Sequence, residues 1–145
     1  EVVMKPGPGG YRGVLTAWDP AQRKIAWEDK EDLPVWSGAV ATAGDLVFYG
    51  TMDGWFKAVD ARTGQLRWKF KCGSGIIGQP IAYKCPDGHE YIAVLAGVGG
   101  WSGALVSGHL DSRDHTGALG FIGAVTDLVY KSTPGGMLYV FSLPH

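Results

Sequence analysis

No stretch of this sequence is apolar for the roughly 18 residues that a membrane-spanning helix needs. Its longest apolar run, Tyr91 to Val98, is only strand-sized. Charge of one sign is also missing: 13 Lys and Arg face 14 Asp and Glu, a net charge of −1. That balance leaves no basic stripe for nucleic acid and no acidic tail. Cysteine is scarce. Cys72 and Cys85 are the only two, and their spacing is neither CxxC nor a zinc pattern. Each falls near the end of an expected strand, so a disulfide between neighbouring strands is feasible, with two partly buried thiols as the other reading. The histidines, His89, His109, His115 and His145, are scattered through turns and the terminus and offer no convergent metal ligands. No Ser-His-Asp arrangement, HExxH or P-loop is present. Gly97 to Gly100 lacks the Lys-Ser/Thr of a phosphate loop, and no helix is expected after it.

Glycine and aromatic residues are plentiful. The 23 glycines and eight prolines call for many tight turns, and 46% hydrophobic residues with six tryptophans suffice for a packed core. A segment also repeats. Ala17-Trp18-Asp19 with Trp27 returns forty-one residues later as Ala58-Val59-Asp60 with Trp68, and Gly13 returns as Gly54. A period in the forties with strand-like content marks a β-propeller, in which each repeat is one four-stranded blade. Two blades cannot close a ring, so the reading is all-β and incomplete on its own.

The spacing of turns places short strands at Gly13–Trp18 and Lys24–Glu28. Further strands are expected at Val35–Val40, Leu46–Thr51, Trp55–Ala58, Gln79–Tyr83 and Tyr91–Leu95. Asp19 and Asp60 open the turns that follow the repeated strands, where a carboxylate accepts backbone amides two residues on. Gly64 supplies a positive φ in the second copy, and Arg23 takes that place in the first. Asp45, Asp53 and Asp87 are likewise turn residues. Residues 1–12 read as a linker entered from upstream, with no initiator Met and no signal-peptide core. A processed chain and a fragment both explain that start, and the repeat arithmetic favours the fragment. Residues 13–34 read as the end of a blade and 35–71 as one full blade. A further blade spans 72–145, with a long functional loop at 97–136 and a closing strand at 137–143. Trp36 and Trp101 stand out because each indole has Gly or Ser neighbours, a setting for a planar cofactor, with core packing as the plainer alternative.

The two Ala-x-Asp…Trp copies resemble the tryptophan-docking motif of quinoprotein alcohol dehydrogenases. The better match is Ala58-Val59-Asp60-Ala61-Arg62-Thr63-Gly64-Gln65-Leu66-Arg67-Trp68. Val35-Trp36-Ser37-Gly38, Phe48-Tyr49-Gly50-Thr51-Met52-Asp53-Gly54, Ser74-Gly75-Ile76-Ile77-Gly78 and Gly97-Val98-Gly99-Gly100-Trp101 look like the C-terminal part of the methanol dehydrogenase large subunit. Trp36-Ser37-Gly38 and Gly135-Gly136-Met137-Leu138-Tyr139-Val140-Phe141 look closer to the lanthanide-type than the calcium-type enzymes.

The resemblance implies about two blades of an eight-bladed propeller holding pyrroloquinoline quinone and a lanthanide or calcium ion. It implies oxidation of methanol or another primary alcohol in the periplasm, with electrons passed to a cytochrome c. By the same resemblance Trp36, Gly100 and Trp101 contact the quinone, and Trp101 and Leu119 wall the alcohol pocket. Metal ligands and the catalytic aspartate are expected upstream, outside this chain. Implied partners are the remainder of the same subunit and a second copy of the complete subunit. The family's adjacent-cysteine disulfide has no counterpart in Cys72 and Cys85. The alternative is a non-catalytic propeller scaffold that shares the repeat.

Overall fold

The computed structural model describes residues 5–108 and 125–142. Among them, nine strands form three antiparallel sheets. β1 (Gly13–Asp19) and β2 (Lys24–Glu31) pair as a hairpin. β3 (Ala39–Ala41), β4 (Leu46–Gly50), β5 (Trp55–Asp60) and β6 (Leu66–Lys71) form a four-stranded meander. β7 (Ile81–Lys84), β8 (Glu90–Ala96) and β9 (Met137–Ser142) form a three-stranded sheet in that order. The expected architecture of propeller blades that do not close a ring is what these sheets build.

The repeat is structural in detail. β1–β2 and β5–β6 break register at corresponding places, between Ala17 and Trp18 and between Ala58 and Val59, a bulge that sharpens strand twist. Asp19 Oδ1 accepts the amides of Ala21 and Gln22 at 2.9 and 3.0 Å. Asp60 Oδ1 does the same for Arg62 and Thr63, both at 3.0 Å. The Trp27 indole N–H crosses to the next sheet and donates to the Ala61 carbonyl at 2.9 Å. One apolar cluster, with Phe48, Phe56, Ala58, Ile92 and Val94, fills the seam between the second and third sheets.

Antiparallel pairing sorts the connections into two ends. The Asp-containing turns after β1, β5 and β7 lie at one end, with the β3–β4 turn. At the other lie the loops into β3, β7 and β9, the β4–β5 turn, and the segments leaving β2, β6 and β8. A second core cluster, Leu33, Met52, Val98, Val125 and Leu128, seals that end.

Three expectations change. The strand expected over Val35–Val40 begins only at Ala39. Ser37 accounts for this: its hydroxyl accepts the Gly50 amide at 2.8 Å and donates to Gly38 O at 2.9 Å, replacing ladder bonds with side-chain ones. The segment after β8 is not structureless, because α1 (Gly100–Gly108) follows it directly and a 3₁₀ turn spans Thr126–Tyr130. Cys72 and Cys85 are both free thiols, not a bridge. The Cys72 segment runs beside the C-terminal end of β8, where Gly97 N–H donates to Gly75 O at 2.8 Å. Cys85 closes the turn at the opposite end of that strand, where its N–H donates to His89 O at 3.0 Å. A strand of that length spans roughly 20 Å, far beyond the Cα separation of about 7 Å that a disulfide tolerates. Leu119, His109, His115, His145 and the Leu143 end of the closing strand lie outside the described residues. No helix among the described residues is long and apolar enough to cross a membrane.

Candidate functional site

Trp36, Gly100 and Trp101 all fall at the end sealed by the Leu33–Leu128 cluster. Trp36 precedes β3 by a short loop held by the Ser37–Gly50 bond. Gly38 packs closely against Gln79: a Cβ there would lie 2.5 Å from that side chain, which would have to shift. Gly100 turns the chain from β8 into α1 with φ +54°, and among the described residues a Cβ at Gly99 or Gly100 would meet nothing within 4 Å beyond its own chain neighbours. α1 lies close against the strand end because residue 103 is glycine: a Cβ there would stand 2.8 Å from Val98 O. Val106 anchors the helix on the second core cluster. Trp101 is consequently presented on its first turn, 63% exposed, and Trp36 is 41% exposed.

Neither indole is packed away as a core ring among the described residues. Trp101 stands beside Gly99 and Gly100, where the absence of side chains leaves a flat ring room to approach the backbone. The first turn of α1 contains no acidic residue of its own that would repel a carboxylated ligand. Among the described residues no three His, Cys, Asp or Glu side chains gather where they could hold a metal ion.

Charges at this end serve structure. Arg12 grips Asp127 with both guanidinium nitrogens, at 2.6 and 2.7 Å, tying the start of β1 to the 3₁₀ turn. That hydrogen bonding raises the Arg12 pKa and lowers the Asp127 carboxyl to about 2 despite partial burial. Asp53 accepts the Thr51 hydroxyl at 2.6 Å inside the β4–β5 turn. At the far end Asp60, bonded by Arg67 and by the turn's own donors, also falls to about 2. Asp127 and Asp60, with their oxygens occupied by donors and their pKa values lowered to about 2, are too weakly basic for general-base work.

Sequence reasoning did not find α1 or the hydroxyls beneath it, Ser74, Ser132 and Thr133. Ser74-Gly75 was visible only as part of a family-like string. The partners of these hydroxyls lie between 24 and 60 positions away, so no local pattern reports them.

Residues 12–92 match the family "PQQ: Glucose/ethanol/alcohol dehydrogenase, beta-propeller domain". A lanthanide-dependent methanol dehydrogenase of Methylacidiphilum fumariolicum is 50% identical over 99% of this chain and 24% of its own length. A quinoprotein ethanol dehydrogenase of Pseudomonas aeruginosa is 42% identical over 91% of this chain and 18% of its own. A solved europium-containing methanol dehydrogenase superposes with a TM-score of 0.84 at 50% identity, covering 92% of this chain and 24% of that one. The chain thus spans about a quarter of the methanol dehydrogenases it matches.

Proposed function

Because this chain belongs to the β-propeller family of PQQ-type glucose, ethanol and alcohol dehydrogenases, we propose that it supplies one wall of the quinone and alcohol site of such an enzyme. The carrying observation is the open, glycine-flanked presentation of Trp101 at the start of α1, in a chain half identical to a methanol dehydrogenase. Bound pyrroloquinoline quinone supplies the two-electron acceptor for oxidation of a primary alcohol to the aldehyde. The chain's own residues bind and exclude. Trp36 offers an indole face to the quinone, Gly100 keeps the backbone free of side chain, and Trp101 covers the reacting end and narrows the space to a small alcohol. Leu119 completes the pocket wall. Rigid apolar walls of this kind hold water away from the reacting carbon.

The remainder of the subunit contributes the metal ligands, for a lanthanide or calcium ion, and the catalytic carboxylate. The complete enzyme works in the periplasm as a homodimer and reduces a cytochrome c. The similarity to methanol dehydrogenases named for lanthanide dependence supports the lanthanide ion.

The test uses the complete native protein. It should carry a near-ultraviolet quinone absorbance and reduce an artificial acceptor only when a primary alcohol is added. Trp101→Ala should lower kcat/KM for the alcohol by at least about tenfold. A protein with neither chromophore nor alcohol-dependent turnover is the scaffold, not the enzyme.

A further inference from the structure

We propose that Ser74 and Ser132 are positioning residues for Trp101, locking the turn that carries it into place from beneath. The inference rests on the reading of Trp101 as part of the quinone and alcohol site. Three loops meet under that turn: the one leaving β6, the one leaving β8 and the one entering β9. Ser74 Oγ donates to the Thr133 carbonyl at 2.6 Å and accepts the Val98 amide at 3.3 Å. Ser132 Oγ accepts the Gly75 amide at 2.8 Å, and the Gly75 carbonyl accepts the Gly97 amide at 2.8 Å. Thr133 closes the circuit by donating to the Gly73 carbonyl at 2.8 Å. Both serines are nearly buried, 6% and 7% exposed.

Backbone contact leaves these loops little room to slide. A Cβ at Gly75 would sit 2.0 Å from Met52 O, and one at Gly97 would sit 2.6 Å from Gly135 O. Where loops arrive this close but not in register for a ladder, a serine hydroxyl is the smallest group that both donates and accepts. Only two residues farther on, at Gly99 and Gly100, an added Cβ would meet nothing within 4 Å among the described residues. The base is fixed and the top is bare, which is how a presented ring must be mounted.

The opposite end of the sheets is built differently. Its turns are closed locally, by Asp19, Asp60 and Asp87 bonding amides two or three positions on. The Ser74–Thr133 and Ser132–Gly75 bonds join the loop leaving β6 to the loop entering β9 across 59 and 57 positions. Val98 lies three residues before Trp101, and Gly75 acts on the same turn through Gly97, so neither serine needs to touch the ring to set its direction.

The experiment compares Ser74→Ala and Ser132→Ala in the complete protein labelled with 5-fluorotryptophan. The Trp101 fluorine resonance, assigned with Trp101→Phe, should shift or broaden in both while that of Trp27 stays put. In otherwise native protein each change should lower kcat/KM for the alcohol by about tenfold. In a Trp101→Ala background the same change should cost less than about twofold, since residues acting through one another are not additive. Asp87→Ala, at the far end, should move neither readout. If Ser74→Ala fails to accumulate, Ser74→Cys, similar in size with a weaker hydrogen-bonding atom, should give the same resonance change in smaller degree. An unmoved Trp101 resonance, or equal losses in both backgrounds, overturns the proposal. Should the native protein lack quinone and turnover, the enzyme reading fails, and the fluorine comparison still decides whether the serines set the ring.

Discussion

At Gly64 an added methyl would come within 2.8 Å of the Trp27 ring, and the backbone there already sits at φ +72°. Both facts demand glycine, one for space and one for conformation. The indole that fills the space is fixed by its bond to Ala61 O, so one residue pair joins two sheets. The corresponding position of the first copy holds Arg23 at φ +52°, a left-handed conformation that costs a side-chain residue about 1 kcal/mol. Two opposite outcomes follow. Gly64→Ala should destabilise the assembled protein by about 2–4 kcal/mol, through strain and a clash with a ring that cannot retreat. Arg23→Gly should stabilise it by about 0.5–1 kcal/mol. Chemical denaturation of both variants checks the pair, and a Gly64→Ala protein as stable as its parent would remove Trp27 docking as the joint between blades. This joint was legible in the sequence because every part of it recurs at one fixed period.

Corresponding strands of the repeat meet their neighbours with different chemistry. On β2, Asp29 and Glu31 face the next sheet, where the Tyr49 hydroxyl reaches both at 2.5 Å and Lys57 donates to Glu31 at 2.5 Å. Burial and the two acids push the Tyr49 phenol far above its ordinary pKa, which keeps it a donor. Forty-one positions on, Phe70 of β6 and Cys72 just beyond it take those places, and Phe70 packs against Tyr139 and Phe141. Strand order was readable from alternation and Asp-led turns, whereas α1 was not. Gly100, Gly103 and Gly108 are poor helix formers, and the helix stands on tertiary packing through Val106. Trp36 and Trp101 could be singled out from their glycine and serine neighbours, but the hydrogen bonds under Trp101 were hidden because their partners are distant in sequence. The 3₁₀ turn is tied down by Asp127, whose pKa is lowered to about 2, chiefly by Arg12. A depressed folded-state pKa contributes stability that is complete above the ordinary carboxylate range and disappears as pH falls from about 4 to 2. Asp127→Asn should therefore cost about 1 kcal/mol at pH 7, solvent screening included, and almost nothing near pH 2. Denaturation at both pH values tests this, and a pH-independent difference would mean the carboxylate charge is not what holds the turn.

Sheets of two, four and three strands leave faces that nothing in this chain covers among the described residues. Trp27 has its docking turn on the next sheet. Trp68, one period later, meets Phe141 edge-on at 5.1 Å and still borders an open groove of about 420 Å³ lined by Leu46, Phe48, Ile92 and Phe141. Along β6, Leu66, Trp68 and Phe70 remain 38–44% exposed, and on β9 Leu138 and Val140 remain 59% and 48% exposed. Contiguous apolar surface of this kind is covered in a stable soluble protein, and open strand edges beside it invite pairing with other chains. A chain spanning 24% of a methanol dehydrogenase leaves the rest of that ring to provide the cover. Produced alone, the 145-residue chain should therefore bind a hydrophobic fluorescent dye and elute as aggregates. Produced with the remaining polypeptide, it should co-elute with it in one complex, and the dye signal should fall to the level of an ordinary folded protein. A dye-silent, monodisperse monomer of the isolated chain would contradict the open-ring architecture, because such a monomer would have to bury Trp68, Phe70 and Val140 against itself in an arrangement these sheets do not have.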